Sequence, residues 1–208
     1  MVERLTDLSC GEFAAVLAAK EAVPGGGGAA ALVGALGVAL CSMVGNFTSG
    51  KKTYADVEDD VRRMLGEAED VRERLLGLVQ EDAEAFSPLS QAYAIPREDP
   101  ARAATLEEAT KGACVAPVEM MRQVCHAIEL LEEMGEKGSR MLLSDVACGA
   151  LLCKAALEAA SVNVFVNTKT LADRAYAEHV EAECDAMLDE YVPRAAACAT
   201  HVMERIRG

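Results

Sequence analysis

The segment PGGGGAAALVGALGVALCSMVGNFTSGKKTY, Pro24 to Tyr54, decides how the rest of the chain is read. Residues 22–50 form a run of 29 positions without a charge, and eight of the sixteen glycines fall in it. Such a run is either enclosed by protein on nearly all sides or placed in a lipid bilayer. Pro24 ends any helix before it, and Gly25, Gly26, Gly27 and Gly28 let the backbone turn with positive φ and approach another group closely. From Ala29 to about Ser49, Ala, Gly and Ser occur on every face, so neighbouring helices can come close. Asn46, Thr48, Lys51, Lys52 and Tyr54 then arrive within two helical turns, where an anionic ligand meets polar and cationic partners. A glycine-rich turn into a helix N-terminus also offers N–H groups to an anion, but the Lys-Ser/Thr pair of a nucleotide phosphate loop is missing. The residues favour a tight helix-to-helix turn that launches a buried helix, with the chemistry at that helix's Lys51 end.

Composition separates the two settings. The chain has 208 residues, 51% of them hydrophobic and only 4% aromatic, with no tryptophan. This is the palette of packed helices in a single domain, residues 1–208, rather than of a sheet. A net charge of -14 excludes a broad nucleic-acid-binding or anionic-membrane surface. The uncharged helix would span a bilayer, yet it lacks an aromatic belt and every later segment is amphipathic; the reading is no membrane. The eight cysteines are scattered singly and the N-terminus Met1-Val-Glu-Arg-Leu5 has no signal-peptide core, so a reduced cytoplasmic protein is expected. No CxxC or HExxH pattern occurs, and no metal site is expected.

The flanking chain completes an all-α, elongated multi-helix bundle around the small-residue helix. Ser9 and Glu12 fit a capping box, opening a short helix to Lys20 with Phe13, Val16 and Leu17 inward. From Asp56 to about Leu89 a heptad runs, one seam reading Val57, Met64, Val71, Leu78 and Ala85, the other Val61, Ala68, Leu75, Asp82 and Leu89. Asp82 is a carboxylate at a core position, so it is either a structural ion pair or cap, or a group tuned for proton transfer. Pro88, Pro96 and Pro100 make a connector, Asp99 caps the next helix, and Pro117 kinks or divides it. Ser144-Asp145 opens a last core helix that carries Asn163 and Asn167 on one face. Asp145 and Asn163 are 18 residues apart, roughly 27 Å along an unbroken helix, too far to grip one small fragment from a single chain. The tail from Leu171 to Arg207 is amphipathic, interrupted at Pro193.

Taken in order, Pro24-Gly25-Gly26-Gly27, Met43-Val44 with Asn46 and Thr48, Gly50-Lys51-Lys52 with Tyr54, Glu81-Asp82-Ala83 with Phe86, Pro96, Pro117, Ser144-Asp145 and Asn163-Val164 with Asn167 form a set. This set resembles the formiminotetrahydrofolate cyclodeaminase and methenyltetrahydrofolate cyclohydrolase family across nearly the whole chain. Relatives usually carry Ser where this chain has Gly28, and two asparagines in the turn where it has Ser139 and Met141. The resemblance implies one of two reactions. Either a folate nitrogen attacks the formimino carbon and ammonia leaves, or water opens the methenyl bridge to formyltetrahydrofolate. Each needs a base and an acid and no metal or redox cofactor, the tetrahydrofolate derivative being substrate. The family name favours the cyclodeaminase reaction; the cyclohydrolase reaction and a non-catalytic folate- or anion-binding helical dimer are the alternatives. Asp82 or Asp145 would accept the proton, Lys51 or Lys52 would donate one or anchor an anion, and Asn163 and Asn167 would hydrogen-bond the pterin. Gly25, Gly26, Gly27, Asn46, Thr48 and Tyr54 complete the expected substrate-binding set.

So long an uncharged helix is hard to cover with the other helices of one chain, which predicts a homodimer. A dimer would also let Asp145 of one subunit approach the Asn163 end of the other.

Overall fold

A computed structural model describes residues 4–208; Met1–Glu3, on which part of the signal-peptide reading rests, lie outside the described residues. Six helices follow one another: α1 (Cys10–Leu17), α2 (Gly26–Thr48), α3 (Glu58–Ala94), α4 (Arg102–Lys137), α5 (Leu143–Thr168) and α6 (Arg174–Arg207). Short 3-10 turns at Leu5–Asp7, Lys52–Val57 and Arg140–Leu142 join them, and no strand occurs among the described residues. Helix α1 opens on the expected capping box: the Glu12 N–H donates to Ser9 Oγ at 3.3 Å and the Ser9 N–H to Glu12 Oε2 at 2.9 Å. It stops at Leu17, short of Lys20, with Phe13 buried and Leu17 exposed.

Helix α2 packs along α3 on one side and α5 on the other, with α4 against it as well, while α6 covers α4 and α5. Its small residues act here. A Cβ on Gly37 would lie 2.5 Å from Cys153 Sγ and 3.1 Å from the Gly149 carbonyl, and one on Gly149 would lie 2.8 Å from the Gly37 carbonyl. Helices α2 and α5 therefore touch backbone to backbone. They run antiparallel, because Gly26 sits by Asn163 at one end and Thr48 bonds Ser139 at the other. By length and composition alone α2 and the stretch Arg140–Thr168 would each cross a membrane, with mean hydropathies of 1.9 and 1.5. In the bundle they are each other's neighbours, and Ala31, Val38, Cys41 and Val44 of α2 are fully enclosed. One stripe of α2, formed by Leu36, Met43 and Phe47, remains bare.

The heptad on α3 holds: Val61, Met64, Ala68, Val71, Leu75, Leu78 and Leu89 are buried at the predicted seam positions. Two expectations about proline are corrected. Pro88 lies inside α3 and Pro193 inside α6, and neither ends its helix. A proline removes the hydrogen bond to the carbonyl four residues earlier. Here those carbonyls belong to Glu84 and Asp189, both exposed residues, where solvent is available to replace the lost donor. Pro117 likewise sits within a continuous α4, by a different device described below. Asp99 caps a turn rather than the helix itself, accepting the Ala101 N–H at 2.8 Å, so α4 begins at Arg102.

Candidate active site

The glycine run does not turn with positive φ: among the described residues only Gly50 and Gly208 do so. Gly26, Gly27 and Gly28 instead form the first turn of α2. The need for glycine is space. A Cβ on Gly27 would fall on the Asp82 carboxylate, 2.6 Å from Oδ2, and one on Gly26 would meet Asn163 Oδ1 at 3.4 Å. At Gly28 the nearest atom, Pro24 Cβ, is at ordinary contact distance, 3.4 Å, so a Cβ would fit there. The bare first turn lets α3 bring Asp82 against the unpaired N–H groups at the N-terminus of α2, and the Gly28 N–H donates to it. Burial raises the Asp82 pKa, and the Gly28 hydrogen bond opposes that rise without cancelling it.

This carboxylate faces a pocket of about 260 Å³ between the N-terminus of α2, the last third of α3, the middle of α4 and the C-terminal end of α5. Gly26, Gly27, Phe86, Pro117, Asn163 and Asn167 are among its walls, and Asp82 is the only charged residue lining it among the described residues. Asn163 Nδ2 donates to the Ala159 carbonyl at 2.9 Å, within its own helix. Asn167 Nδ2 donates to the Ala113 carbonyl at 3.2 Å. Ala113 is the residue four before Pro117, so the Asn167 amide replaces the hydrogen bond that Pro117 removes, and α4 continues through it. One N–H of each amide is engaged in this way, and neither Oδ1 has a hydrogen-bond partner among the described residues. The pocket thus offers three acceptor groups, one carboxylate and two amide oxygens, beside the N–H groups of the first turn of α2.

The remaining predicted residues lie elsewhere. Gly26 and Thr48 are 22 residues apart, roughly 33 Å along α2, so the single site expected around Lys51 is split between opposite ends of the helix. The pocket belongs to the glycine end. At the other end Thr48 is completely buried: its hydroxyl donates to the Val44 carbonyl at 2.6 Å and accepts the Ser139 N–H at 2.8 Å, tying α2 to the turn before α5. Tyr54 Oη accepts the Arg140 N–H at 3.1 Å. That bond holds the phenol pKa below its usual value against partial burial, helped by the Ser139 hydroxyl and the Arg140 and Lys51 charges. Asn46, Lys51 and Lys52 are exposed and Asp145 is half-buried nearby on α5. Gly50, at φ 76°, swings the chain out of α2, and Glu58 clasps the bend, accepting from Ser49 Oγ at 2.7 Å and the Gly50 N–H at 2.8 Å. Those two bonds, with Arg62, lower the Glu58 pKa to about 2. Helix α5 is unbroken, so Asp145 and Asn163 serve different ends. Cys10 and Cys148 are exposed, and no cluster of three or more His, Cys, Asp or Glu among the described residues is placed to hold a metal.

The sequence reading places Phe86 in the ordered set without a role as a wall, and it does not mark Val166 or Arg140 as parts of these two ends. Phe86 follows Asp82 by one helical turn, which was the available signal; nothing marked Arg140, because its neighbour Tyr54 is 86 residues away.

The chain belongs to the formiminotransferase-cyclodeaminase family, whose model matches residues 9–186. It is 43% identical over 178 residues to the methenyltetrahydrofolate cyclohydrolase of Methylorubrum extorquens, covering 84% of this chain and 86% of that protein. It is 31% identical over 198 residues to the formimidoyltransferase-cyclodeaminase of Mus musculus, covering 93% of this chain but 37% of that protein. The fold matches the crystal structure of formiminotetrahydrofolate cyclodeaminase from Thermotoga maritima with a TM-score of 0.85 and 31% identity, over 96% of this chain and all of that one.

Proposed function

We propose that this chain is a folate one-carbon enzyme that interconverts methenyltetrahydrofolate and formyltetrahydrofolate by adding and removing water at the bridge carbon. The observation that carries the proposal is Asp82: a carboxylate, its pKa raised by burial, and the one charge among the described residues that line the pocket, where two amide side chains stand beside it. The methenyl carbon lies between two nitrogens and shares their positive charge, so an opposed carboxylate orients it. Asp82 then takes a proton from the attacking water as the carbon–oxygen bond forms. The tetrahedral carbon collapses as its hydroxyl loses a proton to solvent and becomes the carbonyl, one carbon–nitrogen bond breaks, and the proton held by Asp82 goes to the departing nitrogen. A carboxyl whose pKa is shifted toward neutrality is suited to both transfers. Asn163 and Asn167 present Oδ1 atoms to ring N–H groups of the pterin. Only water and proton transfer enter these steps.

The cyclohydrolase direction is favoured by the 43% identity to a cyclohydrolase along 86% of its length. The cyclodeaminase reaction is the second reading, favoured by the fold match to a cyclodeaminase. There a folate nitrogen attacks the formimino carbon, and Asp82 moves the proton from that nitrogen to departing ammonia. A folate enzyme with eight free thiols fits a reducing cytoplasm. Offering each substrate separately, with near-UV methenyl absorbance and ammonia followed together, tests the proposal. Loss of methenyl absorbance faster than the uncatalysed rate, without ammonia, is expected. A gain of absorbance matched by ammonia from the formimino substrate would move the assignment to the second reading, and no rate above background with either substrate would overturn both.

A further inference from the structure

Among the described residues three helices carry an interior proline, and only one of the three frees a carbonyl inside the protein. Pro88 and Pro193 free the carbonyls of exposed residues, which solvent can serve. Pro117 frees that of Ala113, a buried residue. Proline is the residue a helix interior tolerates least, and almost any other at position 117 would supply the ordinary N–H to Ala113. The least favoured helical residue thus stands where water is least able to replace the missing donor. A side chain from another helix replaces it: Asn167 Nδ2 of α5 lies 3.2 Å from the Ala113 carbonyl. Pro117, Ala113 and Asn167 all line the Asp82 pocket.

The two amides of the pocket are held with different firmness. Asn163 Nδ2 bonds the Ala159 carbonyl, which lies four residues back in a continuous helix and so also meets the Asn163 backbone N–H. Breaking the side-chain bond orphans nothing, and the Asn163 amide is free to turn over. The Asn167 amide is not. Turned over, it would set Oδ1 against the Ala113 carbonyl oxygen, two acceptors with no proton between them, and leave a buried carbonyl unmet.

We infer that Pro117 is a positioning residue that acts through Asn167: by withholding an N–H from α4 it makes the Ala113 carbonyl depend on the Asn167 amide, and so fixes Oδ1 as an acceptor for an N–H of the bound ring. With an N–H at position 117 the carbonyl is met from within α4, and the amide is released to flip or swing away. The dependence of Asn167 on Pro117 rests on geometry alone; the ring that Oδ1 meets rests on the folate reading.

Pro117→Ala and Pro117→Val each restore the N–H, and valine also keeps the bulk of the pocket wall. In urea unfolding, Asn167→Ala is expected to lower the midpoint clearly in the wild-type background and by a small fraction of that beside either Pro117 variant. An equal loss in every background overturns the inference. Kinetics read the substrate side. On the folate substrate that the wild type converts, both Pro117 variants are expected to raise KM about three- to tenfold, as for one hydrogen bond, with kcat moving less. Adding Asn167→Ala to either is expected to raise KM little further. A raised KM in Pro117→Ala with a wild-type KM in Pro117→Val would assign the effect to the wall and overturn the inference, as would effects of the two positions that simply multiply. A wild type without turnover on either folate substrate removes the folate reading and its ring N–H, while the unfolding cycle still decides whether Pro117 fixes Asn167.

Discussion

At the pocket, Gly27 and Asp82 form a pair in which each explains the other. The carboxylate occupies the space a Cβ on Gly27 would take, and the first turn of α2 supplies its hydrogen bond. Gly27→Ala pushes aside the end of a side chain, which can rotate away, so unfolding is expected to shift little while turnover falls at least about tenfold. Gly37→Ala is the contrast. Its Cβ meets Cys153 Sγ and the Gly149 backbone, which cannot rotate away. That change is expected to destabilise by about 1–3 kcal/mol in denaturant unfolding while leaving KM unchanged. Glu58 belongs to the same scale. Its pKa is lowered to about 2 from an ordinary 4.5, so the clasp on Ser49 and Gly50 contributes stability above pH 4.5 and loses it as pH falls toward 2. Glu58→Gln is expected to flatten the acid limb of a thermal-stability profile within that window.

At the scale of elements, α4 passes through Pro117 because α5 supplies a donor from outside. Asn167→Ala leaves the Ala113 carbonyl without its partner in a buried place, with an expected loss of about 1–3 kcal/mol in chemical denaturation. The same variant should weaken substrate binding, since Asn167 lines the pocket. The elements themselves were largely legible in the sequence. Periodicity fixed the seams of α3, the capping box fixed the start of α1, and small residues marked α2 as the helix others crowd. Proline was misread at Pro88 and Pro193 because its cost depends on what surrounds the released carbonyl, which is a tertiary property. The glycines were legible as a special place but not for their reason. A need for space and a need for positive φ give the same letter, and only the position of Asp82, 55 residues on, distinguishes them.

For the molecule as a whole, the decisive feature is the separation of the predicted residues into two ends of one antiparallel helix pair. The sequence already contained the arithmetic, since 18 residues of helix keep Asp145 from Asn163, but which end held the pocket depended on how α3 and α4 lean over α2. Proton transfer is assigned to the glycine end. The central claim is therefore tested most directly by the turnover number of Asp82→Asn, measured on the folate substrate that the wild-type protein converts, beside its thermal unfolding. Because burial raises the Asp82 pKa, the charged form costs stability at neutral pH, so an uncharged isostere should leave melting unchanged or raise it. The account predicts a fall of at least about 100-fold in turnover with no loss of melting temperature. Wild-type turnover in that variant, with the fold intact, would contradict it.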